Sequence, residues 1–257
     1  MSNEKSEKGE VTEKKSTEVA VPSFFEEDAG SGFEHVTAED LTVPRLKILQ
    51  ALSPEVNRAD GKYVEGAVAG DIFNTVTRAV YSVENGCVVI PATYKRMFLE
   101  WQPRESGGGL VNQYADAEIL KSTTKNAIGQ DVLDNGNYIQ TSATHYGIVV
   151  DDDGATSTVM IPMSGTQLKK SRAWNSVMAS LKVPGIKGGV YTPPPYSHKY
   201  LLKTVPESND KGNWFGWSIS LLSQLTEKDL ILYEAAKEFS KSISFENSFS
   251  ADTEEGL

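Results

Sequence analysis

Residues 87–104 read CVVIPATYKRMFLEWQPR, and the fold class turns on how that stretch is taken. Cys87 to Tyr94 is rich in β-branched residues, as a strand buried on both faces is. From Tyr94 the run alternates, with Tyr94, Arg96 and Phe98 on one face and Lys95, Met97, Leu99 and Trp101 on the other. An exposed strand face that carries a ring, a cation and a second ring suits the flat bases and phosphates of an unpaired nucleic acid strand. The same residues also fit a plainer arrangement, with Tyr94 and Phe98 half-buried and Arg96 solvated.

Working upstream, Asn85-Gly86 forms a tight connection into this strand, and Asp71 to Val76 (DIFNTV) reads as another strand. Gly61, Gly66 and Gly70 punctuate the segment before it. Pro44 and Pro54 bound one element over Arg45–Leu52, a strand with Leu46 and Ile48 on one face or else a short helix. Ahead of Leu41 the apolar periodicity stops. Residues 1–40 hold eleven acidic residues and four lysines, a composition that predicts a disordered acidic tail. Phe24 and Phe25 within it have the look of a short docking motif.

Working downstream, 103–137 is a long polar region with a triple glycine (Gly107 to Gly109) and a short helix around Asp116 to Lys121. The glycines lack the Lys-Ser/Thr and the strand-to-helix setting of a phosphate loop, so the region reads as a flexible loop. Tyr138–Val150 and Thr156–Met163 form a hairpin over an Asp151-Asp152-Asp153-Gly154 tip. That tip lacks the oxygen spacing and closing glutamate of a calcium loop. Ser164 and Gln167 have capping-box spacing, followed by a stripe of Trp174, Val177, Met178 and Leu181, so a helix is predicted there with Trp174 in the core. Lys169, Lys170 and Arg172 sit in its first turns, off the stripe, where the helix dipole favours carboxylates instead. That is a solvated basic face or a place for an anionic partner. The triple proline 193–195 marks an edge or surface crossing. Tyr196–Val205 and Trp214–Leu222 are predicted strands around a turn at 208–212. A last helix starts at an N-capping Thr226 with a Leu225–Leu230 staple and carries Tyr233 and Phe239 to about Ile243.

Charge is distributed unevenly. Residues 244–257 add four acidic residues and no base. Taking the fifteen acidic residues and four lysines of both tails from totals of 35 and 25 leaves 20 acidic and 21 basic residues in 41–243. The net charge of −10 therefore belongs to the tails, and a near-neutral core is open to an anionic partner. A single cysteine, Cys87, excludes an internal disulfide and any cysteine-rich zinc site. Its apolar neighbours make it a small core residue. No apolar run approaches the roughly 20 residues of a membrane span, so a soluble intracellular protein with no membrane partner is expected.

His35, His145 and His198 lie far apart, and the strand histidines are expected to be hydrogen-bonded packing residues. No HExxH, GxSxG or Walker signature is present, and no cofactor or metal site is expected, nor an enzyme.

The segments DLTVPRLKILQALSPEV, AGDIFNT, VIPATYKRMFLEWQPRESGGG and SGTQLKKSRAWNSVM together resemble phage single-stranded DNA-binding proteins of the oligonucleotide/oligosaccharide-binding (OB) type, over about 41–220. The resemblance implies a mainly β, OB-like antiparallel barrel with DNA across one sheet face. It also implies a replication or recombination role in the cytoplasm of an infected bacterial host. The acidic C-terminus is similar to the tails through which such proteins recruit replication partners, but it ends in Leu257 with Phe245 and Phe249 further in. The expected organisation is a tail over 1–40, an OB-like domain over 41–243 and an acidic tail over 244–257. Expected stacking residues are Tyr94, Phe98, Trp101 and Trp214. Expected phosphate contacts are Lys95, Arg96, Arg104, Lys169, Lys170, Arg172 and Lys199. The main alternative is a phage structural or host-interaction protein working through protein contacts, and a third is an enzyme with a site assembled from dispersed residues.

Overall fold

The computed structural model describes residues 24–36, 40–210 and 212–245. The chain divides at Asp40/Leu41 into two units. In the first, α1 (Phe24–Glu27) is a single helical turn followed by further turns up to Gly32, with the Phe24 and Phe25 rings edge-to-face at 4.9 Å. Composition alone predicts no regular structure there. Most of the predicted acidic tails, 1–23 and 246–257, lies outside the described residues.

The second unit is mainly β. It runs β1 (Leu46–Ile48), β2 (Ile72–Asn74), β3 (Val80–Tyr81), β4 (Cys87–Trp101), β5 (Leu110–Tyr114), β6 (Thr124–Lys125), β7 (Asp131–Val132), β8 (Tyr138–Val150) and β9 (Thr156–Ser164). Then come α2 (Leu168–Ser180), β10 (Val183–Pro184), β11 (Val190–Tyr191), β12 (His198–Asn209), β13 (Gly212–Gln224) and α3 (Leu230–Phe245). The main sheet has the order β13-β12-β4-β8-β7-β6, with β5 added to β4 and β9 to β8. Every pair of named strands is antiparallel, and the sheet curls into a half-barrel. Smaller sheets are β1-β2-β3 and the β10-β11 hairpin.

The long strands β4 and β8 form the spine, paired from Val88↔Val150 to Trp101↔Tyr138. Both faces of their shared part are buried, which is why Cys87–Ile90 has no polar positions. On one face Val89, Val149, Ile161, Tyr200, Leu202 and Trp217 pack with Trp174 of α2 and with Leu46 and Ile72 of the small sheet. On the other, Ile90, Tyr146 and Ile148 pack under Ala236, Phe239 and Ile243 of α3. Cys87 is buried, and burial pushes its thiol up to about 12, as expected of an inert core residue.

A bulge between Pro91 and Thr93 resets the spine. A bulge inserts one unpaired residue and so flips the parity of everything after it. Val89 and Tyr94, of opposite parity in sequence, thereby fall on the same α2-facing side. Proline is tolerated inside a long strand at such a break. Opposite it, Gly147 leaves room that a side chain would fill, since a Cβ there would lie 2.6 Å from the Ile90 carbonyl oxygen.

The stretch 103–137, expected as a loop, is folded onto the spine. Glu100 is buried, and its carboxylate accepts hydrogen bonds from Tyr114 Oη (2.6 Å), Asn137 Nδ2 (2.6 Å) and Asn135 Nδ2 (3.3 Å). These bonds hold its pKa below the usual carboxylate range, Asn137 contributing most. A short helical turn over Ala117–Ser122, with Asp116 as its N-cap, stands at the predicted place.

The outer strand β13 is finished by two glutamines. Gln50 takes both backbone groups of Phe215, accepting from its N–H at 2.9 Å and donating to its carbonyl at 3.0 Å. Gln167 accepts from Trp217 N–H at 2.9 Å. Gln167 is thus not the capping-box partner that its spacing from Ser164 implies, and α2 begins only after a 3-10 turn over Gly165–Gln167. α3 is preceded by the predicted Thr226 cap. The Asp229 carboxylate accepts from Thr226 N and Oγ1 at 2.9 and 2.8 Å. The predicted staple is not formed, because Leu230 is 60% exposed.

Candidate nucleic-acid interface

Where α2 crosses the spine, four rings meet. Tyr94 and His145 are directly opposite on β4 and β8, so their side chains share a face. Their rings lie 5.0 Å apart. His145 stacks on Trp174 at 4.3 Å and 25°, and Trp174 meets Tyr200 edge-on at 5.6 Å. The stripe of α2 turned to the sheet is Leu168, Ser171, Trp174, Asn175 and Met178, while Val177 points out at 41% exposure. Ser171 is on that stripe because it answers the histidine: His145 Nε2 and Ser171 Oγ are 2.8 Å apart. Burial pushes the imidazole down to about 3, so it is neutral at pH 7. His145 Nδ1, Trp174 Nε1 and Tyr200 Oη are buried with no hydrogen-bond partner among the described residues.

Beside this stack lies a cavity of about 210 Å³. Tyr94, His145, Asn175, Met178, Pro193 and Pro195 line it, with Thr192 at the same wall. The triple proline crosses the surface as predicted and closes one side of the cavity with flat, rigid rings. Lys182 donates to Thr192 Oγ1, which places an ammonium at the cavity wall.

Exposed cations stand on β4 and α2, the strand and the helix that frame the cavity. Arg96, two residues past Tyr94 on the same strand face, is exposed, with its guanidinium carbon 5.4 Å from the centre of the Phe98 ring. Lys169 and Arg172 are exposed on α2, Arg172 one helical turn before Asn175. Neither makes an ion pair among the described residues.

The family model described as Pam3 phage gp34-like protein matches residues 13–248. The chain belongs to that family. The membership makes this a phage protein, as the sequence resemblance implies at its coarser level. No curated protein and no solved structure matches the chain.

This phage protein brings together only part of the residue set expected from its sequence. Tyr94 lines the cavity, Arg96 is exposed two residues further along the same strand, and Lys169 and Arg172 are exposed on α2, the helix that supplies another wall. Phe98 does not offer a ring to solvent: it is 2% exposed, and its alternation partner Arg96 lies over it instead. Trp101 is half-buried with its indole N–H enclosed. Trp214 and Lys170 meet on one carboxylate, Glu207, with N–O distances of 2.9 and 3.1 Å, and Gln167 adds a third bond at 3.0 Å. They lock the start of α2 to the β12-β13 hairpin. Lys199 is bound to Asp229 at 2.8 Å. A lysine whose charge is matched by a partly buried carboxylate has little left for a phosphate. Lys95 is half-buried, and Arg104 is exposed in the turn after β4, away from the lining of the cavity.

Asn175, Ser171, Thr192 and Lys182 were not singled out by sequence reasoning. The three-residue spacing Leu168–Ser171–Trp174 was the available signal for Ser171. No described helix is long and apolar enough to cross a membrane, and no cluster of potential metal ligands is found among the described residues.

Proposed function

We propose that this phage protein binds single-stranded DNA without marked sequence preference. The observation that carries the reading is the Tyr94–His145–Trp174 stack beside a cavity, framed by two elements that bear exposed cations, Arg96 on β4 and Lys169 and Arg172 on α2. Rings supply stacking that any base can use, and cations supply a salt-dependent phosphate contribution. The curled antiparallel sheet is consistent with an OB-like barrel, the architecture that the sequence resemblance implies. On this reading the acidic C-terminal segment competes for the same basic flank at low salt, and is released to replication or recombination partners once DNA binds.

The test is a tryptophan-fluorescence titration with oligo-dT and with duplex DNA at two salt concentrations. Oligo-dT binds more tightly than duplex and weakens steeply with salt. Replacing Arg96, Lys169 and Arg172 together by alanine lowers the slope of log affinity against log salt by roughly 2, at about 0.7 per phosphate contact. Equal affinity for duplex, or an unchanged slope in the triple variant, refutes the reading. A protein that ignores both DNAs and forms defined assemblies with phage or host proteins supports the structural alternative.

A further inference from the structure

We propose that the cavity beside Tyr94 receives one unstacked nucleobase, so that this site holds a single nucleotide unit in a defined pose. The proposal rests on the single-strand reading above but is separable from it. Size sets the first limit. At about 210 Å³ the cavity falls below the roughly 300–1,000 Å³ of pockets for drug-sized ligands, which leaves room for one small ring system.

The walls set the second limit. Tyr94, Pro193, Pro195 and Met178 present flat or soft apolar surface on several sides, as a planar ring requires. Polar groups set the third. His145 lines the cavity, is 1% exposed, and keeps one ring nitrogen unspent after its bond to Ser171. The side-chain amide of Asn175, also in the lining, makes no hydrogen bond to the described residues. An amide offers a donor and an acceptor together, and so does the edge of a base. An aliphatic guest would leave the Asn175 amide stranded at the full desolvation cost.

An anionic guest is disfavoured inside, because the imidazole is neutral. The cations stand outside instead: Lys182 on Thr192 at the wall, and Arg172 one turn before Asn175. An apolar slot with a polar edge inside and ammonium and guanidinium groups outside matches base within, phosphate without. The guest comes either from a free nucleotide or from a splayed base of a strand.

Two arms separate those sources. In the first, thymidine monophosphate is titrated against labelled protein by NMR, following the Asn175 side-chain amide and the His145 imidazole. In the second, oligo-dT affinity is compared between the wild type, Asn175→Ala and Ala179→Phe, the last placing a ring at the cavity edge on an exposed position. Both groups shift with the monophosphate. Ala179→Phe loses roughly 5- to 150-fold in oligo-dT affinity, the scale of one base–aromatic stack. Asn175→Ala loses roughly 2- to 10-fold, with the salt slope unchanged in both variants. If oligo-dT binds normally to both variants and the monophosphate moves neither group, the cavity proposal is overturned while strand binding stands. If the wild type ignores oligo-dT yet the monophosphate shifts His145, the strand reading falls and the cavity is a free-nucleotide site.

Discussion

Replacing His145 by phenylalanine isolates the cost of burying a neutral imidazole. Burial pushes the folded pKa from 6.5 to about 3, with desolvation as the cause. The sign follows from linkage. Below pH 6.5 the unfolded chain takes a proton that the folded chain refuses, so the folded state loses stability as pH falls, down to the folded value. Each pH unit in that window costs about 1.4 kcal/mol, so between pH 6.5 and 5 His145 removes about 2 kcal/mol. For a unit of this size that is a fall in Tm of roughly 4–8 °C. His145→Phe keeps a flat ring against Trp174, which stacks on the imidazole at 4.3 Å, and orphans Ser171 Oγ at every pH alike. The variant therefore starts less stable at pH 7 by about 1 kcal/mol. It then loses much less on going to pH 5, the remainder coming from His198, which burial also lowers. The assay is thermal or urea unfolding of both proteins at half-unit steps from pH 7.5 to 5. Parallel curves would refute the argument, because they would mean that His145 is charged or solvated in the folded state.

Three further outcomes follow from the fold. Glu100→Ala removes the acceptor of two 2.6 Å bonds and one at 3.3 Å. It costs about 2–4 kcal/mol, reduced by resolvation of the exposed Asn135, and speeds hydrogen exchange selectively across β5–β7; uniform exchange would contradict the anchoring role. Gly86→Ala places a Cβ 2.1 Å from the Leu202 carbonyl oxygen at a φ of 70°, and lowers the urea midpoint by the equivalent of about 2 kcal/mol or more; a neutral result would exclude this turn. Asp229, held at about 2 chiefly by Lys199, contributes stability that is present above the ordinary carboxylate pKa of about 3.9 and lost as pH falls towards 2. Asp229→Asn therefore narrows the difference in Tm between pH 5 and pH 2.5, and an unchanged difference would remove the pair from the account.

Patterns confined to one element were readable from the residues. The two runs Tyr138–Val150 and Thr156–Met163 on either side of an aspartate-glycine tip gave the β8-β9 hairpin, and Thr226 marked the entrance to α3. What failed depended on contacts distant in sequence. Phe98 has the alternation of a solvent-facing ring, yet it is buried, with the Arg96 guanidinium over it. The bulge at Pro91/Thr93 decides which core Tyr94 joins, and one proline was its only trace. Residues 103–137 look like linker because their anchor is a carboxylate, Glu100, held by amides and a phenol instead of an apolar stripe. Lys170 and Lys199 carry the same charge as Lys169, and only tertiary structure reveals which of them meet Glu207 and Asp229. The candidate site was thus half visible: its rings and cations by residue type, its selection among them not at all.

Gln50 and Gln167 have a consequence for how copies of this chain coexist at high concentration. An outermost strand is a template onto which another molecule can add its own backbone. At Phe215 and Trp217 that template is already occupied from within the same chain, by amides that imitate a neighbour's peptide groups. A double replacement by leucine would leave the pleat intact but uncork its margin, and lateral growth of molecule upon molecule would begin there.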